Sequence, residues 1–159
     1  MSVTLRATGP GDLGWIIQRH GALYAAEEGW DHRFEGVVAG VVADYVKTYD
    51  PAREACWIAE HEGQKVGSIM LAREDDRVGR LRLLLVEPSA RGLGVGETLV
   101  GACIARAREA GYQEMVLWTQ SNLLPARRLY ARFGFVLEKS WDYDGFAEGL
   151  VSESWRLRL

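Results

Sequence analysis

The sequence predicts an α/β domain built on a mixed, mainly antiparallel sheet. Short apolar runs of strand length alternate with segments whose apolar residues recur every three or four positions. A strand–helix–strand unit from Leu81 to Thr119 carries a crossover helix, which makes its two strands parallel, while a hairpin-length connection earlier in the chain makes its neighbours antiparallel. The 159 residues are 48% hydrophobic and 26% charged, which suits one core, so residues 1–159 are expected to form a single domain.

Thr4 to Ala7 reads as the first strand, closed by Thr8-Gly9-Pro10-Gly11. Leu13, Ile16, Ile17, His20, Leu23 and Tyr24 follow at helical spacing, with Asp12 near the amino end. Phe34, Val37, Val38, Val41, Val42, Tyr45 and Val46 form the stripe of a second helix that Asp50-Pro51 stops. Ala55 to Glu60 and Lys65 to Ala72 are strands joined through His61-Glu62-Gly63-Gln64. After the charged turn Arg73 to Asp76, Leu81 to Val86 has the continuous apolar character of a central strand. Gly94 to Ala110 is a helix closed by Gly111, Met115 to Thr119 a strand, and Pro125 to Phe133 a short helix ended by Gly134. Phe135 to Trp141 and Val151 to Leu159 are the last strands, with a long polar loop near Tyr143-Asp144-Gly145 between them.

A formal charge of −3 argues against a broad nucleic-acid surface. Cys56 and Cys103 have neither CxxC nor zinc-ligand spacing, so no metal site is expected and a reducing, cytoplasmic setting is the simplest reading. No apolar run is long enough to span a membrane, and Met1 to Pro10 lacks the pattern of a secretory signal.

The most informative stretch is Val86-Glu87-Pro88-Ser89-Ala90-Arg91-Gly92-Leu93-Gly94-Val95-Gly96, which runs from an apolar strand into an amphipathic helix. Glycines let a backbone approach a ligand closely, and the first N–H groups of a helix lack internal partners, so together they make an anion site. Arg91 adds a guanidinium suited to phosphate oxygens. A Walker loop is disfavoured because Glu97-Thr98 stands where Lys-Ser/Thr is required, and a dinucleotide fingerprint is a weak match because its third glycine is missing.

The spelling Arg-x-x-Gly-x-Gly from Arg91 to Gly96 resembles the pyrophosphate loop of the GCN5-related N-acetyltransferase (GNAT) superfamily. Asn122, Ala126, Leu129-Tyr130 and Gly134-Phe135 reproduce that family's second signature, N-x-x-x-A-x-x-L-Y-x-x-x-G-F. Trp15, Gly29-Trp30-Asp31 and Trp57-Ile58-Ala59-Glu60 also resemble the acetyltransferase half of bacterial MarR/acetyltransferase fusion proteins, without a winged-helix half. The resemblance implies a GNAT-like sheet whose two parallel central strands splay apart, opening a slot for acetyl-CoA.

On that resemblance, Leu84, Leu85 and Val86 offer backbone groups to the pantetheine arm, with the N–H near Leu85 at the thioester oxygen. Arg91, Gly92, Leu93, Gly94, Val95 and Gly96 hold the diphosphate, and Asn122 and Ala126 flank the arm, Asn122 being equally suited to loop and cap chemistry. Tyr130 matches the tyrosine that protonates or hydrogen-bonds the leaving sulfur, and also suits packing beside Leu129 and Phe133. Arg127, Arg128 and Arg132 are candidates for the CoA 3′-phosphate or for a solvated helix face. The strand before the loop carries Arg80 and Arg82 where many members of that family carry a Glu or bind a water, so the base is open among Glu27, Glu28, His20, His32 and water, His20 lying on an apolar helix face that favours burial. Arg82 in the cleft would clamp a carboxylate, or else form a salt bridge. Tyr24, Glu28, Trp30 and Trp118 are the remaining acceptor-side candidates.

The expected activity is direct transfer of an acetyl group from acetyl-CoA to a small primary amine bearing a carboxylate, by a monomer or homodimer. Alternatives are a non-catalytic acyl-CoA-binding regulator and an acetylase of protein amino termini or lysines.

Overall fold

Among residues 2–159, described by a computed structural model, seven strands hydrogen-bond into one sheet. They are β1 (Thr4–Ala7), β2 (Ala55–His61), β3 (Gln64–Arg73), β4 (Val78–Val86), β5 (Glu114–Gln120), β6 (Val136–Tyr143) and β7 (Leu150–Arg158), in spatial order β1-β2-β3-β4-β5-β7-β6. The helices are α1 (Asp12–Glu28), α2 (His32–Lys47), α3 (Val95–Glu109) and α4 (Leu124–Arg132), with a 3₁₀ turn at Pro88–Ala90. Each expected element is present in the expected order. The strand read from Leu81 begins earlier, at Val78, because Val78 and Gly79 already pair with Glu114 and Met115 of β5.

The central strands are covered on both faces, and their alternation sorts side chains between two cores. Ile69, Leu71 and Leu81 face Leu99, Val100 and Cys103 of α3. Cys56, Ile58 and Met70 face Ile16 of α1 with Val38 and Val42 of α2. A third, smaller cluster of Trp30, Phe146 and Leu150 joins the α1–α2 connection to the β6–β7 loop.

The feature that positions the site lies between β4 and β5. These strands are parallel, and their pairing runs from Val78↔Glu114 only to Leu81↔Leu117. Beyond that point they diverge, so the β5-facing backbone edge of β4 from Arg82 onward has no strand partner. A bulge reinforces the split: on β3, Ser68 pairs with Leu85 and Met70 with Arg82, leaving Leu83 and Leu84 opposite one residue. Leu83 takes φ 56°, a left-handed conformation that costs an ordinary residue roughly 1 kcal/mol. The buried Ser68 hydroxyl holds the bulge by donating to the Leu83 carbonyl at 2.8 Å.

Helix α1 is fixed at both ends. Near its start the buried Asp12 accepts from Arg6 Nη1 at 2.7 Å and the Gly9 N–H at 2.7 Å, and pairs with Lys65 Nζ at 2.8 Å. At its end the Gly29 N–H donates to the Ala25 carbonyl, and the chain reverses so that Trp30 stacks on Tyr24 at 5.0 Å.

Candidate active site

The strand split opens into two connected spaces. One, of about 880 Å³, is walled by the last turn of α1, the end of β4, the glycine loop and the outer face of α4. Gly94 sits at φ 73°, a conformation strained for any residue with a Cβ, and sends the chain straight into α3. No side chain caps the first N–H groups of α3, so they are available to an anion. Backbone at Gly92, Gly94, Val95 and Gly96 lines this slot with Arg91, and the donor set suits a diphosphate.

The second space is a cavity of about 110 Å³ on the opposite side of the split, lined among others by His20, Tyr24, Trp30, Arg82, Leu84, Trp118, Gln120, Tyr130 and Phe146. Tyr24, Leu84, Leu123 and Ala126 border both spaces, so they meet at Leu84 on the bulge. A group entering along the slot and one held in the cavity would face each other there.

The cavity's electrostatics are distinctive. Among the described residues no Asp or Glu lines it, whereas Arg80 and Arg82 both do. Arg80 is neutralised by Glu74, Nε to Oε1 at 2.7 Å. Arg82 forms no ion pair among the described residues, and burial, then the neighbouring Arg80 charge, weaken its hold on its proton. Burial drives the Tyr130 phenol well above its ordinary range and the Tyr24 phenol up to about 12, so both keep their protons at neutral pH. Burial also raises the thiols of Cys56, to about 12, and Cys103, which leaves neither as a nucleophile.

Most residues singled out from the sequence converge here. Leu84, Val86, Arg91, Gly92, Gly94, Val95, Gly96 and Ala126 line the slot, and Tyr24, Trp30, Arg82, Trp118 and Tyr130 line the cavity. Others fall elsewhere. Leu85 is buried opposite Ser68 and borders neither space, so Leu84 is the strand residue at the junction. Leu93 projects to solvent. Glu28, expected beside the acceptor, lies on the slot wall, where it accepts from Asn122 Nδ2 at 3.0 Å; Asn122 itself lines neither space. Arg127 turns away to the buried Glu153 at 2.8 Å, and Arg132 pairs with Glu97, so Arg128 is the slot arginine of α4 without an ion pair among the described residues. His32 lines neither space.

Several cavity residues were not singled out from the sequence as site residues, Phe34, Phe146 and Gln120 among them. Phe34 and Phe146 pack against Trp30 at 4.8 and 4.7 Å, and the Asp31 N–H donates to the Phe146 carbonyl at 3.1 Å. A lone Phe inside a polar loop was the available signal for Phe146. Gln120, in the divergent part of β5, exchanges hydrogen bonds with Ser152 at 3.0 and 3.2 Å. Among the described residues no three His, Cys, Asp or Glu side chains gather as a metal site would require.

A splayed parallel pair with a glycine loop feeding a helix N-terminus defines an α/β domain with a slot suited to a diphosphate-bearing ligand. The chain belongs to the acetyltransferase (GNAT) family, whose profile matches residues 15–135. It is 32% identical over 118 residues to N-acetyltransferase 8 of Homo sapiens, covering 70% of this chain and 52% of that protein. It is 31% identical over 109 residues to the N-alpha-acetyltransferase MAK3 of Arabidopsis thaliana, covering 67% and 56%. The chain thus spans about half the length of these curated relatives. Its fold matches a putative acetyltransferase from Salmonella typhimurium solved with acetyl-CoA, at a TM-score of 0.77, 23% identity, and 100% and 95% coverage.

Proposed function

We propose that this chain is an acetyl-CoA-dependent N-acetyltransferase acting on a small primary amine that carries a carboxylate. The observation that carries this reading is Arg82, a partly buried guanidinium in the wall of the acceptor cavity with no ion-pair partner among the described residues. A guanidinium in that setting is best matched by a carboxylate, which it can grip through two parallel hydrogen bonds. The aromatic walls at Tyr24, Trp30 and Trp118 suit an apolar body on the same molecule.

In this reading acetyl-CoA, the acyl donor, lies in the slot. The α3 N–H groups, Arg91 and Arg128 hold its phosphates, and the unpaired β4 edge near Leu84 meets the arm and the thioester. Tyr130 keeps a phenolic proton to give to the departing sulfur. The buried thiols support attack by the amine in a ternary complex over a covalent relay. The chain is read as one domain, cytoplasmic, and monomeric or dimeric. Its likeness to the acetyltransferase half of MarR fusion proteins rests on the sequence of its first sixty residues.

A peptide amino terminus is the second reading, favoured by the Arabidopsis thaliana relative. Thiol release from acetyl-CoA, with product mass measured across L-amino acids, their decarboxylated amines and short peptides, tests the proposal. Turnover confined to amino acids supports it, and turnover confined to peptides replaces it. Acetyl-CoA binding without turnover on any acceptor would favour a non-catalytic acyl-CoA-binding domain.

A further inference from the structure

We infer that His20 Nε2 is the proton acceptor for the attacking amine. This rests on the amine-acetylation reading above and names the base that reading leaves open. His20 lies on α1 one turn before Tyr24, is 2% exposed, and lines the acceptor cavity. Its Nδ1 sits 2.8 Å from the Ile16 carbonyl. An oxygen there can only accept, so Nδ1 carries the hydrogen and the neutral ring presents a lone pair at Nε2. That Nε2 is buried and has no partner among the described residues.

Buried polar atoms are nearly always paired, and an orphan beside a cavity marks a place for a ligand atom. Here the missing partner is a donor, which an amine N–H supplies. Trp118 Nε1, on the same cavity, is also buried without a partner, and being a donor it suits an acceptor oxygen. The two orphans and Arg82 therefore present complementary groups for the two ends of one amino-carboxylate. Among the described residues no carboxylate competes in the cavity: Glu28 is engaged with Asn122, Glu27 with Arg91, and Glu87 with Arg19.

Burial holds the imidazole neutral, with its pKa lowered to about 4, too weak to deprotonate a free ammonium. The amine therefore enters neutral, and its proton becomes acidic only as the nitrogen bonds to the carbonyl carbon. The C–N bond forms and the C–S bond breaks. The nitrogen's proton passes to His20 Nε2, and the sulfur takes the Tyr130 proton. After product release the imidazolium loses its proton to solvent and the phenolate regains one.

Two variants and one spectroscopic measurement test this. His20→Phe keeps a ring without a lone pair, and His20→Gln keeps an acceptor oxygen without basicity. Each is compared with wild type on whichever probe wild type acetylates best among L-amino acids, their methyl esters and a tetrapeptide with a free amino terminus. Both are expected to lose about a hundredfold or more in kcat, as general-base removal does, with acetyl-CoA affinity within about twofold of wild type. His20→Phe turning over at the wild-type rate reduces His20 to packing, and His20→Gln doing so reduces it to positioning; either overturns the inference. Proton–nitrogen correlation spectra of the isotopically labelled wild-type chain at neutral pH are expected to show Nε2 unprotonated, and a proton on Nε2 overturns it without reference to activity. The wild-type preference between acids and esters tests the carboxylate reading separately. Wild-type turnover of none of the probes removes both.

Discussion

Both carboxylate oxygens of Glu27 lie 2.7 Å from Arg91 Nη2, tying the last turn of α1 to the glycine loop 64 residues away. In this arrangement the Glu27 carboxylate occupies the guanidinium that a cofactor phosphate would seek. Both side chains are more than a third exposed, at 59% and 37%, so the bridge is worth only about 0.2–1 kcal/mol. Glu27→Gln is therefore expected to tighten acetyl-CoA binding by about two- to fivefold. Titration calorimetry at low and high salt checks this, since the gain should shrink as ions screen Arg91.

Tyr130→Phe separates packing from chemistry. The ring packs edge-on against Phe135 at 5.9 Å, and Phe preserves that contact. If the hydroxyl serves as the acid, kcat falls by about a hundred- to ten-thousandfold, while thermal stability and acetyl-CoA affinity stay near wild type. Because burial lifts this phenol far above the operating range, the wild-type rate should show no loss from Tyr130 ionisation across neutral pH.

Ser68→Ala removes the hydroxyl that fastens the Leu83 carbonyl. Leaving that group short of a donor costs about 1–3 kcal/mol in unfolding free energy, measurable by urea titration. The bulge then loses its restraint against relaxing from the positive φ of Leu83, so acetyl-CoA affinity should fall as well.

Asp12 sets the acid limit of α1. Hydrogen bonds from Arg6, ahead of those from Lys65 and the Gly9 N–H, hold its carboxyl well below the usual carboxylate range. A carboxyl depressed by folding stabilises fully above its unfolded pKa of about 3.9 and loses that contribution as pH falls below it. Asp12→Asn is expected to cost about 1–3 kcal/mol at neutral pH, since it removes a buried carboxylate that accepts from two charged donors and the Gly9 N–H. The gap to wild type should narrow as pH falls below about 4, because the unfolded wild-type carboxyl then binds a proton that the folded one, held ionised by its partners, does not.

Periodicity and spelling made much of this protein legible. The α1 stripe from Leu13 to Tyr24 placed that helix, and the crossover through α3 made β4 and β5 parallel. The glycine loop and the Asn122-to-Phe135 signature placed the slot. What stayed hidden depends on distant partners or on local geometry without a marker residue. Leu83 adopts a positive φ with no glycine to announce it. Glu28 sits on the slot side because Asn122, 94 residues away, holds it there. Arg127 and Arg128 are adjacent in sequence but about 100° apart around α4, so one meets Glu153 and the other the slot. The orphaned Nε2 of His20 follows from the Ile16 bond and the cavity together, and an apolar stripe alone foretold only its burial.

The most direct measurement compares kcat/KM for an L-amino acid and its primary amide, in wild type and in Arg82→Gln. With Arg82 gripping the carboxylate, wild type should prefer the acid by about ten- to a hundredfold, and the variant should lose that preference while keeping its affinity for acetyl-CoA. Equal use of acid and amide by wild type, or a preference that survives in Arg82→Gln, would contradict the carboxylate-bearing acceptor.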